Sequence, residues 1–297
     1  MSKLGVGLLG KSGLVGKTYE KLLADHPFFE LIYAPKREEL GNIEKAKGCV
    51  LIFSALSDEA AKIYDPLYAN EGFPVFTSAS CHRLQKDIPL IIPEINGAKL
   101  KGWKGTLIAK PNCTLQSMLL PLYPLHQKFG LKQVSVTNLQ SISGAGASYT
   151  LSGNVIPFIE GEEEKSEMES LKILENPSIT ISAHCTRVPV LHGHLACISA
   201  SFEKKPTLKE VRDCWDSFRG VNLPSSPEKT FVYFENEDRP QPELDVNVGK
   251  GMAIALGRLR ACSLFDIRFV ALSHNLIRGA AGGGLLTAEL YAKENIL

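Results

Sequence analysis

LGVGLL (residues 4–9) runs into GKSGLVG (residues 10–16) and then KTYEKLLADH (residues 17–26). A short apolar run, a glycine turn and a segment with Tyr19, Leu22 and Leu23 at helical spacing read as strand, turn and helix. Four glycines recur every third residue, at Gly7, Gly10, Gly13 and Gly16. Such a turn lets backbone approach a pyrophosphate while the helix N-terminus faces its charge, although a tight β–α turn without ligand has the same pattern. Working outward, FFELIYAP, CVLIFSAL and FPVFTS are further apolar runs of the kind buried on both faces of a parallel sheet. Between the last two, SDEAAKIYDPLYANEG reads as a helix capped by Ser57 and stopped by Gly72. This alternation predicts an α/β, Rossmann-like doubly wound nucleotide-binding domain.

After Asn112 the pattern changes. KQVSVTNLQSIS, VPVLHGHLACISASF and DIRFVALSH read as strands, with helices over CTLQSMLLPLYPLHQKFG, EEEKSEMESLKIL and TLKEVRDCWDSFRG. These predict an α+β catalytic and dimerisation domain with a mixed, mostly antiparallel sheet. The final NLIRGAAGGGLLTAELYAKENIL reads as an amphipathic helix returning to the first domain. The expected division is 1–112 with 275–297 for the nucleotide domain and 113–274 for the catalytic one. A length of 297 residues suits two domains.

Composition excludes several classes. Lys and Arg number 33 against 32 Asp and Glu, leaving a net charge of +1 and no global field for nucleic acid or an anionic membrane. No run of 18 apolar residues suggests a spanning helix. Seven cysteines, an odd number without a C-x-x-C pair, favour a reducing compartment, which we take to be the cytoplasm, and give no metal site.

Two local signals carry chemistry. About 20 residues beyond the glycine turn, where an NAD enzyme offers a carboxylate to the ribose, stand Lys36 and Arg37. Cations there favour a 2′-phosphate and hence NADP; a solvated loop would read the same, since Glu38, Glu39 and Lys45 follow. At the domain junction PNCT (residues 111–114) precedes a long apolar helix, whose positive end raises the thiolate fraction of a nearby cysteine. A single cysteine is more often a small buried apolar residue, so the reading needs companions. Gln140, SGAG (residues 143–146), Arg187 and His194 supply them. His184 and His192 are spaced as well as His194, and spacing does not choose among the three.

The ordered set G-x-x-G-x-x-G, R-x-x-x-D-x-P-L-x-I-P-E-x-N (residues 83–96), PNCT, Q-x-x-SGAG, EGEEEK, RVPV-x-x-GH, DRPQP and NL-x-RGAAGGG resembles aspartate-semialdehyde dehydrogenases from end to end, in their archaeal and fungal form. The resemblance implies NADPH-dependent reduction of aspartyl phosphate to aspartate semialdehyde by a homodimer or homotetramer, in lysine, diaminopimelate, threonine and methionine biosynthesis. It makes Cys113 the nucleophile, His194 the acid/base, and Asn112 and Gln140 the residues orienting the acyl group. Arg187 would hold the substrate carboxylate, Glu169 its amine, and Arg83 and Lys172 the phosphate. Cofactor contacts would come from Gly10, Lys11, Ser12, Gly13, Leu14, Val15, Gly16, Lys36, Arg37, Ser54, Ala55, Leu56, Ser143, Gly144 and Asn275.

The chain departs from that pattern at Lys11, which replaces a methyl-bearing residue of the usual glycine turn, and at Pro35, which precedes Lys36 and Arg37 where a Ser-x-Arg is usual. A CoA-thioester reductase of the malonyl-CoA reductase type shares RGAAGGG but not PNCT. A non-catalytic NADPH sensor would not need Cys113, Gln140, Arg187 and His194 together.

Overall fold

A computed structural model describes residues 3–296. The chain divides into two compact units: one holds everything up to Pro111, the stretch Asn222–Ser225 and everything from Ala280, and the other holds Asn112–Val221 and Ser226–Gly279.

In the first unit, β1 (Leu4–Leu9), β2 (Phe29–Tyr33), β3 (Leu51–Ser54), β4 (Val75–Thr77) and β5 (Leu107–Ala109) form one sheet in the order β2-β1-β3-β4-β5. Every pair is parallel, so the strands need crossovers, and α1 (Leu14–Leu23), α2 (Asp58–Asn70) and the short α3 (Pro93–Asn96) belong to these. The Ser57 hydroxyl accepts from the Ala60 amide and starts α2 as the sequence indicates. The order reverses between β1 and β3, which makes their carboxyl ends the place where such sheets bind ligands. One face is packed by Tyr19, Phe29 and Phe76, whose rings each meet that of Phe53 at 4.8 to 6.2 Å, and the other by Tyr33, Leu40 and Tyr68.

The C-terminal helix, Gly282–Asn295, belongs to this unit. It is not the amphipathic helix expected: it is buried around nearly its whole circumference from Gly282 to Ala292. Gly284 has no room for a side chain against the Tyr19 hydroxyl, so the helix lies close on α1, and Tyr291 meets Phe76 at 5.6 Å. Its one acidic residue on the inner surface, Glu289, is fully buried and satisfied. It accepts from His26 Nε2 at 2.7 Å, from the Ser225 amide at 3.0 Å and from the Ser225 hydroxyl. Residues 275–279 fall in the second unit, because Asn275 is bonded there through Gly193 and Ser143.

The second unit carries a six-stranded mixed sheet of β6 (Leu131–Gln140), β7 (Thr180–Arg187), β8 (His194–Phe202), β9 (Phe231–Phe234), β10 (Ile254–Ala261) and β11 (Ile267–Ser273), ordered β7-β6-β8-β11-β10-β9. β6/β7 and β9/β10 are parallel and the other three pairs antiparallel. Along β8, His194, Ala196, Ile198, Ala200 and Phe202 alternate inward. Most of α4 (Leu115–Phe129) is buried, and Trp215 on α6 (Leu208–Ser217) donates to its Pro121 carbonyl at 2.9 Å. The remaining helices are α5 (Glu162–Leu174) and the single turn α7 (Pro242–Asp245). β8 begins at His194 rather than near residue 188 as expected: Pro189 interrupts the ladder and Gly193, at φ 97°, turns the chain. His192 is therefore a loop residue.

Candidate functional site

In the second unit, parallel β6 and β7 end where antiparallel β8 begins, with Gln140 opposite Arg187 and Leu139 opposite Leu195. The topology thus delivers Gln140, Arg187 and His194 to one end of the sheet. Cys113 stands just before Thr114, the N-cap of α4. Its Sγ lies 3.1 Å from His194 Nε2 and 3.5 Å from Asn112 Oδ1. Two glycines permit the approach. A Cβ on Gly279 would lie 2.8 Å from that of Cys113, and one on Gly144 would lie 3.0 Å from Arg187 Nη1 and 3.1 Å from His194 Cε1.

The imidazole has a defined role. His194 Nδ1 accepts the Ser141 amide at 3.1 Å, so in the neutral ring the proton sits on Nε2, facing the sulfur. Burial, with the nearby Arg187 charge second, lowers the imidazole pKa to about 3, so the ring is neutral near pH 7. Arg187 is itself buried, donates to the Ser141 carbonyl at 2.8 Å and has the Tyr149 ring 5.9 Å from its guanidinium.

A carboxylate closes the other side. Glu162, on the first turn of α5, accepts from Asn112 Nδ2 at 2.8 Å and Gln140 Nε2 at 3.0 Å through Oε2, while Lys165 reaches Oε1 at 3.1 Å. Burial opposes its ionisation, but these donors outweigh it and hold the carboxyl below its ordinary range. Glu169 also points toward Asn112, at its backbone: Oε2 accepts the Asn112 amide at 2.7 Å, and the side chain is buried. It steadies the turn carrying Cys113. Lys172 is half-buried further along α5. Sequence reading passed over Glu162 and Lys165, although EGEEEK contains them with the same i, i+3 spacing as Glu169 and Lys172.

Ser143 and Asn275 are brought together, Asn275 Nδ2 donating to Ser143 Oγ at 2.9 Å and Asn275 Oδ1 accepting the Gly193 amide at 2.9 Å. His192 meets Ser143 Oγ at 3.0 Å and stacks on His274 at 5.3 Å; neither histidine was singled out with this pair.

The first unit has a groove of about 1030 Å³ at the carboxyl ends of β1 and β3. Gly10, Lys11, Ser12 and Gly13 line it on one side, Lys36 and Arg37 on another, and Ala55 and Leu56 on a third. Gly10 has φ +80°, and a Cβ there would stand 2.6 Å from the Ala55 carbonyl; a Cβ on Gly16 would run into the Gly10 carbonyl. Only glycine closes this turn, which leaves the amides at the start of α1 open to an anion. Leu14, Val15 and Gly16 form the first turn of α1, with Val15 packed on the core. Ser54 is buried and donates to Asp65 at 2.6 Å. Arg83 is buried in this unit and donates to the Ser78 carbonyl at 2.8 Å.

Comparison with known proteins agrees with both halves. Residues 5–103 match the family model described as semialdehyde dehydrogenase, NAD binding domain, and residues 122–278 match semialdehyde dehydrogenase, dimerisation domain. A nucleotide groove on a parallel sheet and a cysteine–histidine pair on a mixed one are the parts of an aldehyde oxidoreductase. The chain belongs to the semialdehyde dehydrogenase family. The aspartate-semialdehyde dehydrogenase of Archaeoglobus fulgidus is 37% identical, covering 99% of this chain and 100% of the relative. An NADP malonyl-CoA reductase from Metallosphaera sedula is 32% identical over 99% of this chain and 98% of its own length. The crystal structure of the Candida albicans aspartate-semialdehyde dehydrogenase with NADP superposes with a TM-score of 0.88 at 32% identity, covering 100% of both chains.

Proposed function

We propose that this protein is an aspartate-semialdehyde dehydrogenase that reduces L-aspartyl 4-phosphate to L-aspartate 4-semialdehyde and phosphate with NADPH. One observation carries the reading: the Cys113–His194 pair is flanked by a buried arginine, Arg187, and an ionised carboxylate, Glu162. Opposite charges beside a nucleophile suit a substrate bearing both an α-carboxylate and an α-ammonium. A malonyl thioester has a carboxylate for Arg187 but no ammonium for Glu162.

The glycine turn and the groove at β1 and β3 fit a dinucleotide, with the α1 amides toward the pyrophosphate and Lys36 and Arg37 toward a 2′-phosphate. When bound, NADPH supplies the hydride. Cys113 attacks the acyl phosphate as thiolate; the S–C bond forms, the C–O bond to phosphate breaks and phosphate leaves. The Asn112 and Gln140 amides, already aligned on Glu162, orient the acyl group, and Arg187 holds the carboxylate with its planar fork. After reduction of the thioester, the C–S bond breaks and the aldehyde departs. His194 Nε2–H donates to the developing oxyanion and to the returning thiolate, which needs no imidazolium. Glu162 takes the substrate ammonium, with Glu169 holding the turn behind it. Arg83 and Lys172 are kept as the cations for the phosphate, and Ser143, Gly144 and Asn275 as contacts for the nicotinamide end.

We place the protein in the cytoplasm as a homodimer or homotetramer, with the dimerisation match supporting the dimer; among the described residues no helix is long and apolar enough to cross a membrane. Its aldehyde would enter lysine, diaminopimelate, threonine and methionine biosynthesis. The test is phosphate-dependent oxidation of aspartate semialdehyde, followed at the nicotinamide absorbance with NADP and NAD compared. Turnover of malonyl-CoA without this reaction would overturn the assignment.

A further inference from the structure

Beyond the ends of β1 and β2 the chain sets two basic turns side by side. The parallel register pairs Gly7 with Tyr33 near the ends of the two strands, and the residues that follow, Gly10 and Lys11 after β1 and Lys36 and Arg37 after β2, turn into one groove. Neighbouring strands are about 4.8 Å apart, and all of these residues except Gly7 and Tyr33 line the same groove. Lys11 is also where the glycine turn departs from its usual form. Its Nζ is held 2.6 Å from Glu20 Oε1, with both side chains nearly half exposed.

Glu20 lies six residues beyond Leu14 on α1, about 9 Å along the helix axis. An ammonium parked there is well away from the amides at Gly13 and Leu14 that suit the pyrophosphate. An exposed pair of this kind is weak and is readily exchanged for a dianionic phosphate, a better acceptor than one carboxylate. Besides Glu20, the groove holds the carboxylates Glu38 and Glu59 against four cations, Lys11, Lys17, Lys36 and Arg37.

We propose that Lys11 is a third arm of the site for the ribose 2′-phosphate, kept by Glu20 until that phosphate arrives, and that it sets the preference for the phosphorylated dinucleotide together with Lys36 and Arg37. This rests on the nucleotide reading of the groove. The test is calorimetric titration of the whole enzyme with adenosine 2′,5′-bisphosphate and with 5′-AMP, which differ only in the 2′-phosphate. Lys11→Ala should weaken the bisphosphate about tenfold and change 5′-AMP by less than about twofold. Lys11→Gln, which keeps the polar stem, should behave alike. Glu20→Gln should tighten the bisphosphate severalfold in the wild-type background and do nothing once Lys11 is replaced. Equal loss for both ligands would assign Lys11 to the 5′-phosphate and overturn the proposal, as would no loss for either. Failure of the unaltered enzyme to bind either ligand would instead defeat the nucleotide reading, and the proposal with it.

Discussion

Replacing His194 with Asn should make the catalytic unit less sensitive to acid. In the unfolded chain the imidazole titrates at its ordinary value of 6.5, while in the folded protein burial and Arg187 hold it at about 3. Between these values the unfolded state binds a proton that the native state refuses, so stability falls as pH drops through 6.5 and the loss is complete only near 3. From pH 7 to pH 5 the difference amounts to about 2 kcal/mol. Asn at this position can still accept the Ser141 amide but cannot titrate. Urea unfolding at the two pH values, followed by the fluorescence of Trp215 in a Trp103→Phe background, reads the unit that contains His194. The wild type should lose about 2 kcal/mol more than the variant over this interval. Identical pH dependence in the two proteins would refute the neutral, buried imidazole, and with it the reading of Nε2–H as the donor to the sulfur.

Cys113→Ser should fold normally, as circular dichroism would check, and lose more than about a hundredfold in turnover, or roughly 2.7 kcal/mol of barrier. Gly279→Ala sets a methyl 2.8 Å from the Cys113 Cβ, and displacement of the nucleophile should lower kcat by about tenfold or more with a smaller change in KM. Glu162→Gln keeps the shape and removes the charge; steady-state kinetics should show the KM for aspartate semialdehyde raised about tenfold. Replacing Lys36 and Arg37 together by Ala should raise the KM for NADP well above any change for NAD, and equal changes would make the pair an ordinary solvated loop.

The first strand, glycine turn and helix were legible because an apolar run ends abruptly at glycines that only a tight turn requires. β7 and β10 were not: β7 alternates with serine, histidine and threonine, and β10 carries Gly257, Arg258 and Arg260, so neither reads as an apolar run. β5 and β9, of three and four residues, were also not read as strands. Within the site, Cys113, Gln140, Arg187 and His194 were found by type and motif. The carboxylate was harder. Glu162 and Glu169 are seven residues apart, nearly two full turns, so both project from one side of α5 and periodicity cannot separate them. Only the fold shows that the first meets the Asn112 and Gln140 side chains and the second the Asn112 backbone. His192 lies outside β8 for a local reason, the left-handed Gly193 that ends the loop before that strand.

The buried C-terminal helix has a consequence for how the protein is made. Tyr19 and Phe76 are translated before the second unit, yet the surface that covers them and the carboxylate that satisfies His26 follow it in the chain. The nucleotide unit therefore cannot complete that face of its core before the next unit is synthesised. The nascent sheet must wait with an aromatic face open while the catalytic unit is translated, and a ribosome that stalls before residue 280 releases a chain whose nucleotide unit lacks the helix that finishes that face.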